Sequence, residues 1–240
     1  MKKINLLVIF FLVSACTNST KVVFLGDSIT AAAIYDKEVA EPWGDTFVYP
    51  KATGFITLLK ENVGDNVKLI GKGISGDKVS DLLARYKDDV IKLNPDIVFI
   101  YIGINDVWHK YDIGTGSDID FYENGLRKMI VDIKSQGSEI VLCTPTLIGE
   151  NSGEFVLVNQ FKDVETMEKM NGDLDAFSDV IRKLSTEFNT DLLDLREIFM
   201  SYVSENNLNN EAAGLLTYDG VHLNDLGNKL IADEMIKFIN

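Results

Sequence analysis

The stretch Phe24-Leu25-Gly26-Asp27-Ser28-Ile29-Thr30-Ala31, FLGDSITA, decides how the rest of this 240-residue chain is read. An apolar strand runs into a polar Gly-Asp-Ser turn, and the turn runs directly into helix-forming residues. Strand leading to helix is the first half of a βαβ unit, and the pattern repeats along the chain. Apolar, β-branched runs occur at Lys21 to Leu25, Val67 to Ile70, Ile97 to Ile102, Ile140 to Cys143 and Asp191 to Leu193. Helical spacing separates them, most clearly where Ile119, Tyr122, Leu126, Met129, Ile130 and Ile133 share one stripe. Ser117 or Asp118 can cap that helix and Gly137 can end it. Further helices are expected at Gly54 to Glu61, Val79 to Ile91, Met167 to Phe188 and Asp225 to Phe238, the last capped by Asn224.

The strands are apolar throughout instead of at every second residue, which is the pattern of a parallel sheet buried on both faces. Right-handed crossovers then give a three-layer α/β/α sandwich around a doubly wound, five-stranded parallel sheet. With 46% hydrophobic residues, the chain has material for one full core and little for a second.

The N-terminus reads separately. Lys2 and Lys3 precede an apolar run from Ile4 to Val13, too short to span a bilayer core of about 30 Å at about 1.5 Å per residue. It has the layout of a secretion signal. Val13-Ser14-Ala15-Cys16 resembles the lipobox of bacterial lipoproteins, which implies a signal over residues 1–15, lipid on Cys16, a tether over residues 16–20 and a single domain over residues 21–240. An exported, membrane-anchored protein follows from that resemblance. Cys143 is the other cysteine, so lipidation of Cys16 leaves no disulfide. Without residues 1–15 the chain holds 21 basic and 37 acidic residues, a net charge of −16. Such a surface repels nucleic acid and anionic headgroups at long range.

In an open parallel sheet, binding sites collect beyond the carboxyl ends of the strands. The unusual polar clusters fall there: Gly26-Asp27-Ser28 after the first strand, GKGISGD after the second, GINDVWH after the third and YDGVHLND near the chain end. A serine hydroxyl is a weak nucleophile without a base. Of the two histidines, His222 has Asp219 three residues before it, close enough to orient the ring. The oxyanion formed by attack on an ester needs fixed donors, available from the Ser28 and Gly73 N–H groups and the Asn105 amide.

These four blocks, in this order across Val22 to Phe238, resemble those of the SGNH, or GDSL, hydrolases. The resemblance implies a flavodoxin-like esterase or lipase without cofactor or metal, in which Ser28 is the nucleophile, His222 the base, Asp219 its orienter, and Ser28, Gly73 and Asn105 the oxyanion hole. Two other classes can be set beside it. GKGISG satisfies the G-x-G-x-x-G of a dinucleotide cradle, but it follows the second strand, and Asp96 precedes a strand where the ribose-binding acid should end one. A non-catalytic glycan-binding lipoprotein would have no need of Ser, Asp and His in this arrangement.

Two long connections, Ala31 to Gly54 and Thr144 to Met167, lie at the same edge and are expected to form pocket walls. Asp27, Trp43, Trp108 and His109 are the expected substrate contacts, with Tyr49 beside them on the rim. An apolar platform of this kind suits a sugar ring or short acyl group. A carbohydrate O-acetyl ester is the first substrate expected; a lysophospholipid or thioester is the alternative.

Overall fold

The computed structural model describes residues 19–38, 52–151 and 164–239. Cys16, Trp43 and Tyr49, with the signal and most of the tether, lie outside them. Five strands form one parallel sheet: β1 (Thr20–Gly26), β2 (Val67–Gly73), β3 (Ile97–Tyr101), β4 (Glu139–Cys143) and β5 (Asp191–Leu193). Their order is β2-β1-β3-β4-β5, so the winding direction reverses between β1 and β3. That reversal opens a crevice at the carboxyl ends of these two strands, the place where such folds bind ligands.

The described residues also form eight α-helices, α1 (Ser28–Ala32), α2 (Phe55–Lys60), α3 (Val79–Asp89), α4 (Ile104–Asp112), α5 (Ile119–Lys134), α6 (Val164–Phe188), α7 (Leu195–Asn206) and α8 (Asp225–Met235), and two short 3-10 helices, Ile91–Leu93 and Ile236–Phe238. One layer holds α3, α5 and α6 side by side, and the other brings α2 against α8. The expected three-layer sandwich is therefore present.

Every residue of β3 is buried, as the unbroken apolar run requires. Phe24 of β1 stacks on Phe99 of β3 with centroids 4.9 Å apart, and each meets an aromatic of the α2/α8 layer edge-on, Phe55 and Phe238 respectively. Burying aromatics of this size contributes roughly 2 to 3 kcal/mol each before entropy is subtracted. The frame that holds the reactive edge is thus anchored in the densest part of the core.

The structure corrects three expectations of detail. β2 continues through Gly71, Lys72 and Gly73, where the sequence suggests a turn. A Cβ on Gly71 would lie 2.6 Å from Ile34 Cγ2, and one on Gly73 would lie 2.1 Å from the Ala31 nitrogen, so these glycines let the chain around α1 pack onto the edge strand. GKGISG is therefore no phosphate loop, and its first glycines serve packing. Second, the cluster beginning GINDVWH is helical from Ile104 to Asp112. Third, residues after β5 form a helix, α7, on which Leu195, Phe199 and Tyr202 share one face.

Candidate active site

Gly26, Gly73 and Tyr101 stand side by side in register at the carboxyl ends of β2, β1 and β3. That alignment sets the first three polar clusters next to one another. At the end of β1 the Asp27 carboxylate, not Ser28, caps α1: its Oδ1 accepts the Ile29 N–H at 3.0 Å. Asp27, expected among the substrate contacts, is accordingly only 2% exposed and serves the turn. Ser28 is left as the first helical residue, with its hydroxyl free of capping duty.

The fourth cluster reaches this point from the far end of the chain. His222 Nε2 lies 3.0 Å from Ser28 Oγ across a sequence separation of 194 residues. Its Nδ1 lies 2.9 Å from Asp219 Oδ2, while Asp219 Oδ1 accepts the Val221 and His222 N–H groups at 3.0 and 2.7 Å. A carboxylate oxygen facing Nδ1 fixes the proton there, so Nε2 presents its lone pair to the serine O–H. Gly220, at φ 93°, supplies the left-handed residue that lets aspartate and histidine fold back on each other.

Asn105 sits in the first turn of α4, entered through Gly103 at φ 137°. One hydrogen of its Nδ2 donates to the Asp77 carbonyl at 3.0 Å. The other has no hydrogen-bond partner among the described residues. Asp106, next in sequence, is fully buried and accepts the Val79 N–H at 3.1 and 3.2 Å through its two oxygens, tying α4 to the start of α3.

His109 lies one helical turn beyond Asn105, beside Gly76. Burial, then the Lys78 charge, hold its pKa below the ordinary histidine value. Trp108 is half-buried against the core. Among the described residues, no group of three His, Cys, Asp or Glu side chains is arranged to hold a metal.

One residue of this region gives little signal in the sequence. Glu150 is 2% exposed, and its carboxylate accepts N–H bonds from Leu215, Leu216 and Thr217 and the Thr217 hydroxyl. Thr217 Oγ1 accepts in turn from the Gly220 N–H at 3.0 Å. The buried carboxylate is thus stabilised by four donors and anchors the loop that carries Asp219 and His222.

Burial dominates the electrostatics of Asp27, raising its pKa from 3.8 to about 7 despite the Ile29 N–H and the nearby His222. The folded chain keeps this proton where the unfolded chain releases it, so stability falls as pH rises from about 4 to about 7. Asp27→Asn keeps an acceptor for Ile29 and removes the buried charge. It is expected to stabilise the protein by on the order of 2 to 4 kcal/mol at about pH 8 and by little at about pH 4. Urea denaturation at both pH values checks this, and an equal effect at both would overturn it.

Residues 24–230 match the GDSL-like lipase/acylhydrolase family. The chain belongs to that family. It is 30% identical over 228 residues to an acetylxylan esterase of Geobacillus stearothermophilus, covering 91% of this chain and 93% of that one. A solved acetyl xylan esterase is 38% identical and superposes with a TM-score of 0.76, covering 92% of this chain and all of the other. An uncharacterized lipoprotein, YqeF of Bacillus subtilis strain 168, is 23% identical over 238 residues, covering 95% and 93%. Solved catalytic mutants of the Geobacillus enzyme replace one serine, one aspartate and one histidine, the last two being three positions apart. This chain is a carboxylic ester hydrolase of the GDSL type.

Proposed function

We propose that this hydrolase removes acetyl groups from carbohydrate esters through an acyl-enzyme on Ser28. The observation that carries the proposal is the His222 ring held between Asp219 and Ser28 at 2.9 and 3.0 Å. The Asp219–His222 spacing equals that of the aspartate and histidine changed in the Geobacillus mutants.

In this reading Ser28 Oγ attacks the ester carbonyl as its proton passes to His222 Nε2. The carbonyl oxygen becomes an oxyanion, met by the Ser28 and Gly73 N–H groups and the free Asn105 N–H. Collapse expels the sugar alcohol, which takes the proton from His222. Water then attacks the acyl-enzyme and gives its proton to the same nitrogen, and collapse releases acetate as Ser28 Oγ takes that proton back from His222.

A panel of acetyl, butyryl and longer chromogenic esters, beside acetylated xylan and lysophospholipid vesicles, tests the substrate class. Acetyl esters and acetylated xylan are expected to give the highest kcat/KM, with a decline as the acyl chain lengthens. Faster hydrolysis of the vesicles would overturn the carbohydrate assignment in favour of a lysophospholipase.

The same proposal treats residues 1–15 as an export signal and Cys16 as the lipid attachment point, a reading supported by the relative named as a lipoprotein. The seven residues of β1 separate the tether end from the serine turn by about 20 Å at roughly 3.3 Å per residue. The tether itself reaches at most about 18 Å. Ser28 would then face away from the bilayer, toward soluble or cell-wall esters. Cys16→Ser should release the protein from the membrane fraction and abolish palmitate incorporation; continued membrane retention would count against the anchor.

A further inference from the structure

Arg85, on the face of α3 turned toward the sheet, makes contacts that the reaction scheme does not use. Its Nη2 donates to the Gly26 carbonyl at 2.8 Å and its Nη1 to the Lys72 carbonyl at 3.0 Å. Nε donates to Asp77 Oδ2 at 2.7 Å, and Nη1 also reaches Asp89 Oδ2 at 2.7 Å. The side chain is 15% exposed, so the guanidinium acts largely out of water, where charge-assisted hydrogen bonds are strong.

Three of these acceptors, the Lys72 and Gly26 carbonyls and the Asp77 carboxylate, belong to chain segments that carry the oxyanion-hole groups; Asp89 lies on α3 itself. The Lys72 carbonyl belongs to the same planar peptide unit as the Gly73 N–H. Because that unit is rigid and trans, holding its oxygen fixes the direction of its hydrogen. A cationic donor on the oxygen also polarises the amide and makes its N–H a better donor. Asp77 ends the turn that begins after Gly73, and its own carbonyl accepts from Asn105 Nδ2. Arg85 therefore grips both ends of the 73–77 segment. Its third grip, on Gly26, is two residues before Ser28.

We propose that Arg85 is a positioning residue for the oxyanion hole, orienting the Gly73 N–H through the Lys72 carbonyl and the Asn105 amide through Asp77. The inference rests on the reading of Gly73 and Asn105 as oxyanion donors. A flat, five-donor cation suits the task, because three acceptors from two chain segments, Gly26 at the end of β1 and Lys72 and Asp77 around the end of β2, are met by one side chain. Lysine keeps the charge but has no fork with which to hold them together.

The test compares Arg85→Lys, Arg85→Gln and Asn105→Ala with wild type on a chromogenic acetyl ester. Rates are normalised to sites labelled by a stoichiometric phosphonate, and melting is followed by circular dichroism. Asn105→Ala is expected to lose about 100-fold to 1,000-fold in kcat, the usual effect of deleting one such donor. Both Arg85 variants should lose about 10-fold to 100-fold in kcat per labelled site, with KM changed less than about threefold and the pH profile unshifted. The double variant of Arg85→Lys and Asn105→Ala should lose less than the product of the single losses, since both act on one group of donors.

If Asn105→Ala retains full turnover, the oxyanion-hole reading itself fails. If Asn105→Ala is impaired but the Arg85 variants melt early with wild-type kcat per labelled site, Arg85 is only a structural brace and the inference is overturned. A loss confined to KM would overturn it equally.

Discussion

Ser28→Ala is expected to lower turnover of an acetyl ester on the order of a millionfold, His222→Ala to lower it about as much, and the double variant to be no worse than either. The reasoning is that the two side chains form a single device. The hydroxyl becomes a competent nucleophile only as its proton moves across the 3.0 Å to Nε2, and Nε2 has no proton to accept once the hydroxyl is gone. Independent contributions would multiply; parts of one device cannot be lost twice. What remains should be the share of catalysis due to binding and oxyanion donors, roughly a thousandfold to ten-thousandfold over water. His109→Ala should stay far closer to wild type, because no hydrogen bond joins His109 to Ser28 among the described residues. Steady-state rates of the four variants, with burst amplitudes for released alcohol, decide the matter. Equal damage from His109→Ala and His222→Ala would mean that the base is wrongly assigned.

The parts of this architecture that could be read in advance are those whose side chains announce them. Fully buried β3 shows as an unbroken apolar run, and the polar clusters stand out because they interrupt such runs at strand ends. The end of β2 was hidden because glycine weakens the strand pattern, while its actual use is to admit the chain around α1 at an edge. Ser28, Asp219 and His222 stand out in the sequence because each sets a polar, reactive side chain in or beside a turn, and the structure brings the three within hydrogen-bond distance; Asn105 stands out by its place just past an apolar run, although it lies in α4. Arg85 and Glu150 do not, and for a common reason. Glu150 acts mainly on backbone N–H groups, and the two contacts by which Arg85 reaches the strand ends are to backbone carbonyls; every sequence offers such groups at every position, so no residue type marks those targets. The spacing of Arg85 on α3 shows only a charged residue in a helix; the parallel register of β1 and β2 brings the two strand-end carbonyls within its reach.

Asp219→Asn is expected to lower kcat by about ten-thousandfold while leaving the fold and melting behaviour close to wild type. The orientation of the new amide is dictated by the backbone. Asp219 Oδ1 accepts the Val221 and His222 N–H groups, so only the amide oxygen can occupy that position without setting donor against donor. The amide nitrogen must then take the place of Oδ2 and point hydrogen at His222 Nδ1, 2.9 Å away in the wild type. Nδ1 becomes an acceptor, the ring proton moves to Nε2, and the ring presents a donor to Ser28 where a base is needed. Shape and backbone bonds survive; the tautomer does not. Nitrogen-15 spectra of the imidazole should show the proton transferred from Nδ1 to Nε2 in the variant. A loss of less than about tenfold with the folded structure intact would show that the ring is held in its working tautomer by something other than Asp219.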